Sequence, residues 1–248
     1  WIRIGISLGV FFILLIVCFL IVGIILIKKK RYVVIDANSG HKLYLQYGDF
    51  FDKNEVLVPE ERRNIVIPVN RCFDTIIDNH LISERTLHGK VFKHFYEEEI
   101  YTEVSLNSTI QQLLKNKEYE YLSENKKPVG NRKRFPVGTV IDLAGDNNEH
   151  FLLWALSTFD SNLKAHTTMQ DYALAVQKLV EACNEESEGF PVVIPVVGTG
   201  LSRTKKEQHD VISYLINSFK LNKTEINCDI HIVIRDDIKN QVAIMNIK

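Results

Sequence analysis

The chain has 248 residues, a formal net charge of −1 at pH 7 and 46% hydrophobic residues. A balanced charge gives no broad basic surface for nucleic acid, so we expect no nucleic-acid partner. The four cysteines lie far apart in the sequence, and no pair has the spacing of metal ligands. The sequence therefore predicts neither a metal site nor a disulfide framework.

The first 31 residues contain a long apolar run. No charged residue occurs from Ile4 to Ile27, and the basic cluster Lys28–Arg31 follows at once. About 20 apolar residues suffice to cross a bilayer as a helix, and basic flanks mark the cytoplasmic end. A signal peptide carries its charge before a shorter run, and a buried core helix of this length has a polar face. We therefore predict a transmembrane helix in residues 1–31 and a cytoplasmic domain in residues 32–248.

Two further features concern the same segment. Because the chain begins with Trp1 rather than Met, we expect residues upstream, which could include another span. Gly5 and Gly9 have the small-xxx-small spacing that permits close packing of membrane helices. The segment could therefore be single-pass or part of a multi-pass anchor, and it could associate with copies of itself.

Apolar runs alternate with helical patterns in residues 32–248, which is typical of an α/β layer structure. We predict strands at His41–Tyr47, Asn64–Val69, Thr139–Leu143, Phe151–Phe159, Phe190–Val197, Cys228–Ile234 and Val242–Ile247. The apolar run within Phe151–Phe159 is also compatible with a helix. We predict helices at Leu87–Ile100, Thr109–Leu122, Met169–Cys183 and from near Thr204 to Phe219. The short β-branched runs suit buried strands, and Phe190–Val197 is the candidate for the central one.

A charged loop is predicted at Asn125–Arg134. Its basic residues are Lys126, Lys127, Arg132, Lys133 and Arg134. Three interpretations remain open: a solvated loop, a contact to anionic lipid near the membrane, or part of a ligand entrance.

One loop has the residues for binding an anion. Gly198, Thr199, Gly200, Leu201, Ser202 and Arg203 follow the apolar strand that ends at Val197. Glycines after a strand let backbone N–H groups approach an anion, and a helix N-terminus adds partial positive charge. The loop therefore predicts a cradle for phosphate or diphosphate. A tight turn without ligand explains the glycines equally well, and neither the Walker nor the G-x-G-x-x-G pattern is present.

Three segments, in the right order, resemble the ligand-binding elements of macro domains, the ADP-ribose-binding α/β/α modules. Pro195–Arg203 resembles their second ligand loop, Gly48-Asp49-Phe50 resembles their Gly-Asp-Ile element, and Asn64–Asn70 resembles the strand that opens their first ligand loop. The resemblance implies a three-layer α/β/α fold with a central mixed sheet. It also implies that Asp49 accepts a hydrogen bond from the adenine, that Asn70 lies beside the distal ribose, and that the backbone of Gly198–Ser202 holds the diphosphate. Phe50, next to Asp49, is a further ligand-binding candidate.

The chain departs from macro domains after Asn70. Where the family has a glycine-rich stretch, this sequence has bulkier and more polar residues. Candidates for recognising an extra group on the distal ribose are Glu84, Arg85 and His88, and Arg71 is a further ligand-binding candidate. A polar helix start explains the first three as well, and both Asp49 and Asn70 are common turn residues. Arg203 could pair with a diphosphate or a carboxylate, or be a solvated surface charge.

Together with the apolar N-terminal helix, the chain is more similar to one subgroup, the transmembrane macro proteins of bacterial Thoeris anti-phage systems, ThsA of the second type. The resemblance implies a sensor-effector in the bacterial inner membrane. A TIR-domain partner would make a histidine–ADP-ribose conjugate, and the macro domain would bind this signal. The protein would then form a homo-oligomer and disrupt the membrane lipid.

The alternative is an enzyme, a membrane-tethered ADP-ribosyl hydrolase. No nucleophile-elbow and no H-E-x-x-H pattern is present in the sequence. We therefore expect a binding protein without catalytic residues and without a cofactor, whose ligand is an ADP-ribose derivative.

Overall fold

The computed structural model describes residues 2–28, 31–52, 62–160, 162–197 and 208–235, and in the first helix the side chains of residues 9 and 11–23. The helices are α1 (Ile2–Lys28), α2 (Leu87–Glu97), α3 (Glu103–Leu113), α4 (Met169–Glu186) and α5 (Gln208–Leu221). The strands are β1 (Arg31–Asp36), β2 (Lys42–Tyr47), β3 (Arg63–Asn70), β4 (Glu120–Tyr121), β5 (Lys133–Arg134), β6 (Val140–Ala144), β7 (Glu149–Phe159), β8 (Ala165–His166), β9 (Val192–Pro195) and β10 (Ile230–Ile234). The strand predicted at Val242–Ile247 and the helix start predicted near Thr204 lie outside the described residues.

One mixed sheet forms the centre of the domain, as predicted. Its strand order is β1-β2-β10-β9-β3-β7-β6, and β8 pairs with β7. The neighbours β2, β10, β9, β3 and β7 run parallel, whereas β1, β6 and β8 are antiparallel to the strands they pair with. The five parallel strands therefore end at one common edge of the sheet, which is where open α/β sheets bind ligands.

Helices cover both faces of the sheet. Ile65 and Ile67 of β3 belong to the apolar cluster that includes α2 and α3, whereas Val66 belongs to the cluster that includes α4 and α5. Successive strand residues point to opposite faces, so a strand covered on both sides must be apolar throughout. This requirement explains the uninterrupted apolar run of β3.

Two predictions from the helical pattern need correction. Helix α3 begins at Glu103 rather than Thr109, because Thr102 caps it: Thr102 and Ser105 each accept a hydrogen bond from the other's backbone N–H. The predicted continuation to Leu122 is wrong, since α3 ends at Leu113 and Glu120–Tyr121 pairs with Lys133–Arg134 as a small hairpin. Strand β1 was not predicted.

The N-terminal helix is present as α1. Its described large apolar side chains, from Phe11 to Val22, are between 44% and 75% exposed. Counting only residues whose side chains are described, no helix has both the length and the apolarity that a membrane crossing requires.

Candidate functional site

A cavity of about 760 Å³ opens at the edge where the parallel strands end. Residues at or after the ends of β2, β3, β7, β9 and β10 line it, together with the start of α2 and the loop before it. Of the predicted site residues, the structure brings together Asp49, Phe50, Asn70, Arg85, His88 and Val197. Ligand contact by these residues remains a prediction.

Asp49 lies at the β2 side of the cavity. Its Oδ1 atom accepts a hydrogen bond from the Phe51 N–H at 3.0 Å, and its carbonyl accepts one from Asp52. The preceding Gly48 N–H donates to the Ile234 carbonyl, which ties this turn to β10. Asp49 is therefore a turn residue and also an exposed cavity residue, so the two interpretations of the sequence are compatible. The buried Phe50 lines the cavity beside it.

Asn70 ends β3 at the other side of the cavity and is 4% exposed. Its Oδ1 atom accepts hydrogen bonds from the N–H groups of Cys72 at 3.0 Å and Asp74 at 3.5 Å. Its Nδ2 atom is buried and has no hydrogen-bond partner in the described part of the chain. Asn70 therefore shapes the turn with its oxygen and keeps a donor for another group.

His88 lies in the first turn of α2 and is 6% exposed. Burial lowers its pKa to about 3, against the opposing effect of a hydrogen bond to the Asp74 backbone, so the ring is neutral near pH 7. The Nε2 atom is buried and unpartnered among the described residues. We therefore assign the Asp74 contact to Nδ1–H, which leaves Nε2 as an acceptor.

The start of α2 is held close to the loop that precedes it. Thr86 caps the helix by accepting a hydrogen bond from the Gly89 N–H at 3.0 Å, while its own hydroxyl donates to the Ser83 carbonyl. A Cβ atom on Gly89 would come within 2.2 Å of the Ser83 carbonyl oxygen. Glycine at this position therefore permits the close approach that places Thr86 and His88 in the cavity wall.

The other predicted site residues lie elsewhere. Arg71 Nε donates to the Phe135 carbonyl at 2.8 Å, and Glu84 pairs with Lys93 at 3.1 Å on the surface, so neither belongs to the described cavity wall. The predicted anion loop lies outside the described residues: Gly198, Thr199, Gly200, Leu201, Ser202 and Arg203.

Lys127 shows that the basic run is not simply a solvated loop. Its side chain is 1% exposed, and Nζ donates to Asp74 Oδ1 at 3.0 Å and to the Val129 carbonyl at 2.7 Å. The backbone N–H of Asn131 donates to the same Asp74 oxygen. Arg132 and Arg134 form exposed pairs with glutamates in or beside the β4–β5 hairpin. The loop therefore packs against the segment that follows Asn70.

Basic side chains outnumber acidic ones in the described cavity wall. Arg85, Lys90 and Arg235 line the cavity, and Asp49 is its acidic residue. An excess of positive charge in a cleft attracts anions and raises their local concentration. The cavity therefore suits a ligand with negative charge, such as a diphosphate.

Several lining residues were not predicted from the sequence. Ser157, Phe159 and Arg235 lie at or just beyond the ends of β7 and β10, and Lys90 lies one turn into α2. The first three could have been found by noting the residues where predicted parallel strands end, because ligands bind at that edge of an open α/β sheet.

The fold and the position of the cavity define a macro-type α/β/α domain. A mutant of the Oceanobacillus iheyensis macrodomain aligns with a TM-score of 0.50 at 13% identity, over 84% of this chain and 89% of that one, which shows the fold alone. The family model described as Thoeris protein ThsA, Macro domain, matches residues 43–235. The chain therefore belongs to the ThsA macro domain family.

A full-length relative is similar over much of this chain. The Thoeris protein ThsA of Bacillus amyloliquefaciens (strain Y2) is 27% identical over 191 residues, which are 75% of this chain and 59% of that protein. The chain thus spans about three-fifths of the curated relative's length.

Proposed function

We propose that the domain binds an ADP-ribose-derived nucleotide in the cavity. The observation that carries this proposal is the placement of Asp49 after β2 and Asn70 at the end of β3, with β10 and β9 between those strands. Neighbouring strands lie about 4.8 Å apart, so three intervals separate the two strand ends by about 14 Å. This spacing suits an extended ligand with its base at Asp49 and a sugar at Asn70.

A diphosphate suits the part of the cavity beside the end of β9. Strand β9 leads through Val197, a cavity residue, into the loop Gly198–Ser202, whose sequence predicts backbone N–H donors for an anion. Arg85, Lys90 and Arg235 add positive charge around the cavity. Along the sheet edge, the proposed sites for a base, a diphosphate and a sugar follow one another. A nucleoside diphosphate with a second sugar has its groups in this order.

We propose that the bound nucleotide is a signal rather than a substrate. The described cavity wall offers the carboxylate of Asp49 and the imidazole of His88 as groups that could transfer a proton. With its pKa lowered to about 3, His88 is a weak general base. A site with anion donors and no paired acid and base is suited to binding.

We further propose that α1 anchors the protein in the bacterial cell membrane, with the macro domain cytoplasmic. The uncharged run Ile4–Ile27, the exposed apolar side chains from Phe11 to Val22 and the basic flank support this role. The signal would be the histidine–ADP-ribose conjugate of a TIR-domain partner, as the resemblance of the sequence implies. Binding would favour a homo-oligomer whose gathered helices disrupt the bilayer.

Calorimetry on the full chain in detergent tests the nucleotide proposal, with ADP-ribose as the ligand. We expect saturable binding and, after long incubation with an ADP-ribosylated protein, no release of ADP-ribose by chromatography. Absence of binding would refute the proposed site. Sustained release would instead establish the hydrolase.

A further inference from the structure

Strand β1 forms one edge of the described sheet. It pairs with β2 on one side, and no described strand pairs with it on the other. An unpaired edge presents a row of backbone N–H and C=O groups that can pair with another strand. The side chains of Arg31, Val33 and Asp36 are exposed, and Val33 is 52% exposed although it is apolar. The described fold therefore leaves this edge open to a further strand.

A β-bulge brings the three exposed side chains to one face of the sheet. Arg31, Val33 and Asp36 pair with alternate residues of β2, which point to the same face. The register shifts between Val33 and Ile35, so Val34 is the extra residue of the bulge. In a regular strand, residues 31 and 36 would point to opposite faces, because side chains alternate. The bulge therefore places an apolar residue between two opposite charges on one face.

The order of these residues is self-complementary. If two copies of β1 pair antiparallel about a two-fold axis at Val33, the two Val33 side chains lie opposite each other. Because the bulge occupies one position of the ladder, Arg31 of each copy then lies opposite Asp36 of the other. Without the bulge, the same axis would place Arg31 opposite Ile35 and leave Asp36 unmatched. Opposite charges and β-branched residues are favourable cross-strand pairs.

We propose that two copies of the chain dimerise by pairing their β1 strands, with Val33 at the two-fold axis and an ion pair between Arg31 and Asp36 on either side. Each chain has one β1 edge, so this pairing closes at two copies and does not continue as a fibre. The inference rests on the membrane-bound homo-oligomer of the proposed function and names an interface for it.

The charges of β1 are available for a second copy. Neither Arg31 nor Asp36 forms an ion pair within the described chain, although Lys42 lies opposite Asp36 on β2. The Arg31 guanidinium carbon lies 4.8 Å from the centroid of the Tyr44 ring, which holds the side chain on the exposed face. Arg31 is therefore positioned without its charge being neutralised.

The N-terminal helix would bring the two strands together. Helix α1 ends at Lys28 and β1 begins at Arg31, so two residues link the proposed anchor to this edge. Copies held in one membrane present β1 at the same height, and the tether raises their effective concentration. Pairing of two six-residue strands is marginal in water, so the membrane favours a dimer that dissociates in dilute solution.

The proposed interface leaves the ligand cavity open. The described cavity wall contains no residue of β1. Variants of β1 should therefore bind ADP-ribose with unchanged affinity. This separation allows the interface and the nucleotide site to be tested independently.

Cysteine cross-linking tests the interface with the full chain in vesicles of phosphatidylethanolamine and phosphatidylglycerol. Cys18 of α1 is replaced by serine, whereas the cysteines of the macro domain are buried. Cβ atoms of directly opposed residues lie about 4.5–5.5 Å apart, within reach of a short thiol cross-linker. Val33→Cys should therefore give a cross-linked dimer. Val104→Cys, at an exposed apolar position on α3, is the matched control and should not.

Charge reversal tests the register. In the Val33→Cys chain, Asp36→Arg places like charges opposite each other at both ends of the strand pair, so the rate of cross-linking should fall about tenfold. Arg31→Asp should have the same effect. The double exchange of Arg31→Asp with Asp36→Arg restores both ion pairs and should recover the rate. Thermal melts and calorimetry with ADP-ribose show that each variant folds and binds.

The outcomes distinguish this interface from the proposed function. If Val33→Cys cross-links no faster than Val104→Cys, the interface is refuted, while ADP-ribose binding by the same chain keeps the nucleotide site. Undiminished cross-linking in folded Asp36→Arg, or no recovery in the double exchange, also refutes the proposed pair. If the wild type binds no ADP-ribose but the cross-linking follows the charges as expected, the nucleotide proposal fails and the interface stands.

Discussion

Lys127 Nζ lies 3.0 Å from Asp74 Oδ1, in an ion pair whose side chains are 1% and 0% exposed. Gly130, with a φ of +80°, passes so close to the pair that a Cβ atom there would meet Asp74 Oδ1 at 2.2 Å. Because the Asp74 main chain also contacts Asn70 and His88, the pair supports the side chains of the cavity wall.

Replacing Lys127 with Met should destabilise the domain and weaken nucleotide binding together. Burial already raises the pKa of Asp74, and without Lys127 its carboxylate loses the partner that opposes this effect. Breaking a buried pair costs about 3–5 kcal/mol, measurable by urea denaturation. Lys126→Met is the control, since its pair with Glu120 is exposed and such pairs contribute less than about 1 kcal/mol. If Lys127→Met and Lys126→Met have equal free energies of unfolding, the Lys127–Asp74 ion pair does not have the proposed stabilising role.

Asp49→Asn should weaken the binding of adenine nucleotides while preserving the turn. Asparagine retains the Oδ1 atom that accepts from Phe51, but it removes the charge proposed to bind the adenine amino group. A hydrogen bond to a charged group is worth about 1.5–3 kcal/mol, so the affinity for ADP-ribose should fall about tenfold to a hundredfold in calorimetry. Asp52→Asn, in the same turn, is the control. A similar loss for ribose 5-phosphate, which lacks adenine, would show that Asp49 has another role.

Acid should destabilise the domain partly through His88. Burial lowers its pKa to about 3, so between that value and the ordinary 6.5 the unfolded chain binds a proton that the folded chain excludes. The free energy of unfolding is therefore unaffected by His88 titration above pH 6.5, and it decreases as the pH falls from 6.5 toward 3. For one proton, the slope of the free energy of unfolding against pH approaches about 1.4 kcal/mol per pH unit.

The matched variant for this pH effect is His88→Phe, followed by urea unfolding from pH 7 to pH 4.5. The variant should lose less stability than the wild type over this range. His231, whose pKa burial lowers to about 4, should make a second contribution of the same sign. Parallel pH profiles for wild type and His88→Phe would show that His88 is not excluded from protonation in the folded chain.

Deleting residues 1–27 should preserve nucleotide binding and abolish the proposed membrane disruption. The truncated chain retains every described residue of the cavity wall, so its affinity for ADP-ribose should be unchanged. Dye release from vesicles should require the full chain, because a membrane tether concentrates the subunits and supplies the spanning helices. If cells producing the truncated chain still die when the signal is made, a membrane effector cannot be the mechanism.

The local sequence pattern was sufficient to predict a strand or helix where burial extends along the whole element. Strands β3 and β9 are covered on both faces, so their apolar runs identify them. Asp49 and Asn70 were instead indicated by the resemblance of their segments to macro domains. Helix α4 was predicted for the same kind of reason, since its buried residues repeat with helical spacing.

Long-range pairing explains what the sequence did not reveal. Lys127 lies 53 residues from Asp74, and its neighbours are typical of an exposed loop, so no local pattern indicates that it is buried. Strand β1 begins at Arg31, the last residue of the basic cluster, and is recognisable through its antiparallel pairing with β2. The start of α3 is a different case, because Thr102 and Ser105 carry a local capping signal that the apolar spacing alone did not show.

The position of β10 sets the time at which the cavity can exist during synthesis. In the described sheet this strand joins the β1–β2 pair to the block formed by β9, β3 and β7, although it is the last of these strands to be made. Contacts between distant parts of a chain form slowly, and this one must wait for the ribosome to pass Ile234. A nascent chain that lacks β10 therefore does not yet have the proposed ligand site between Asp49 and Asn70. If the proposed function is correct, the chain can respond to its signal only after residues 230–234 have left the ribosome.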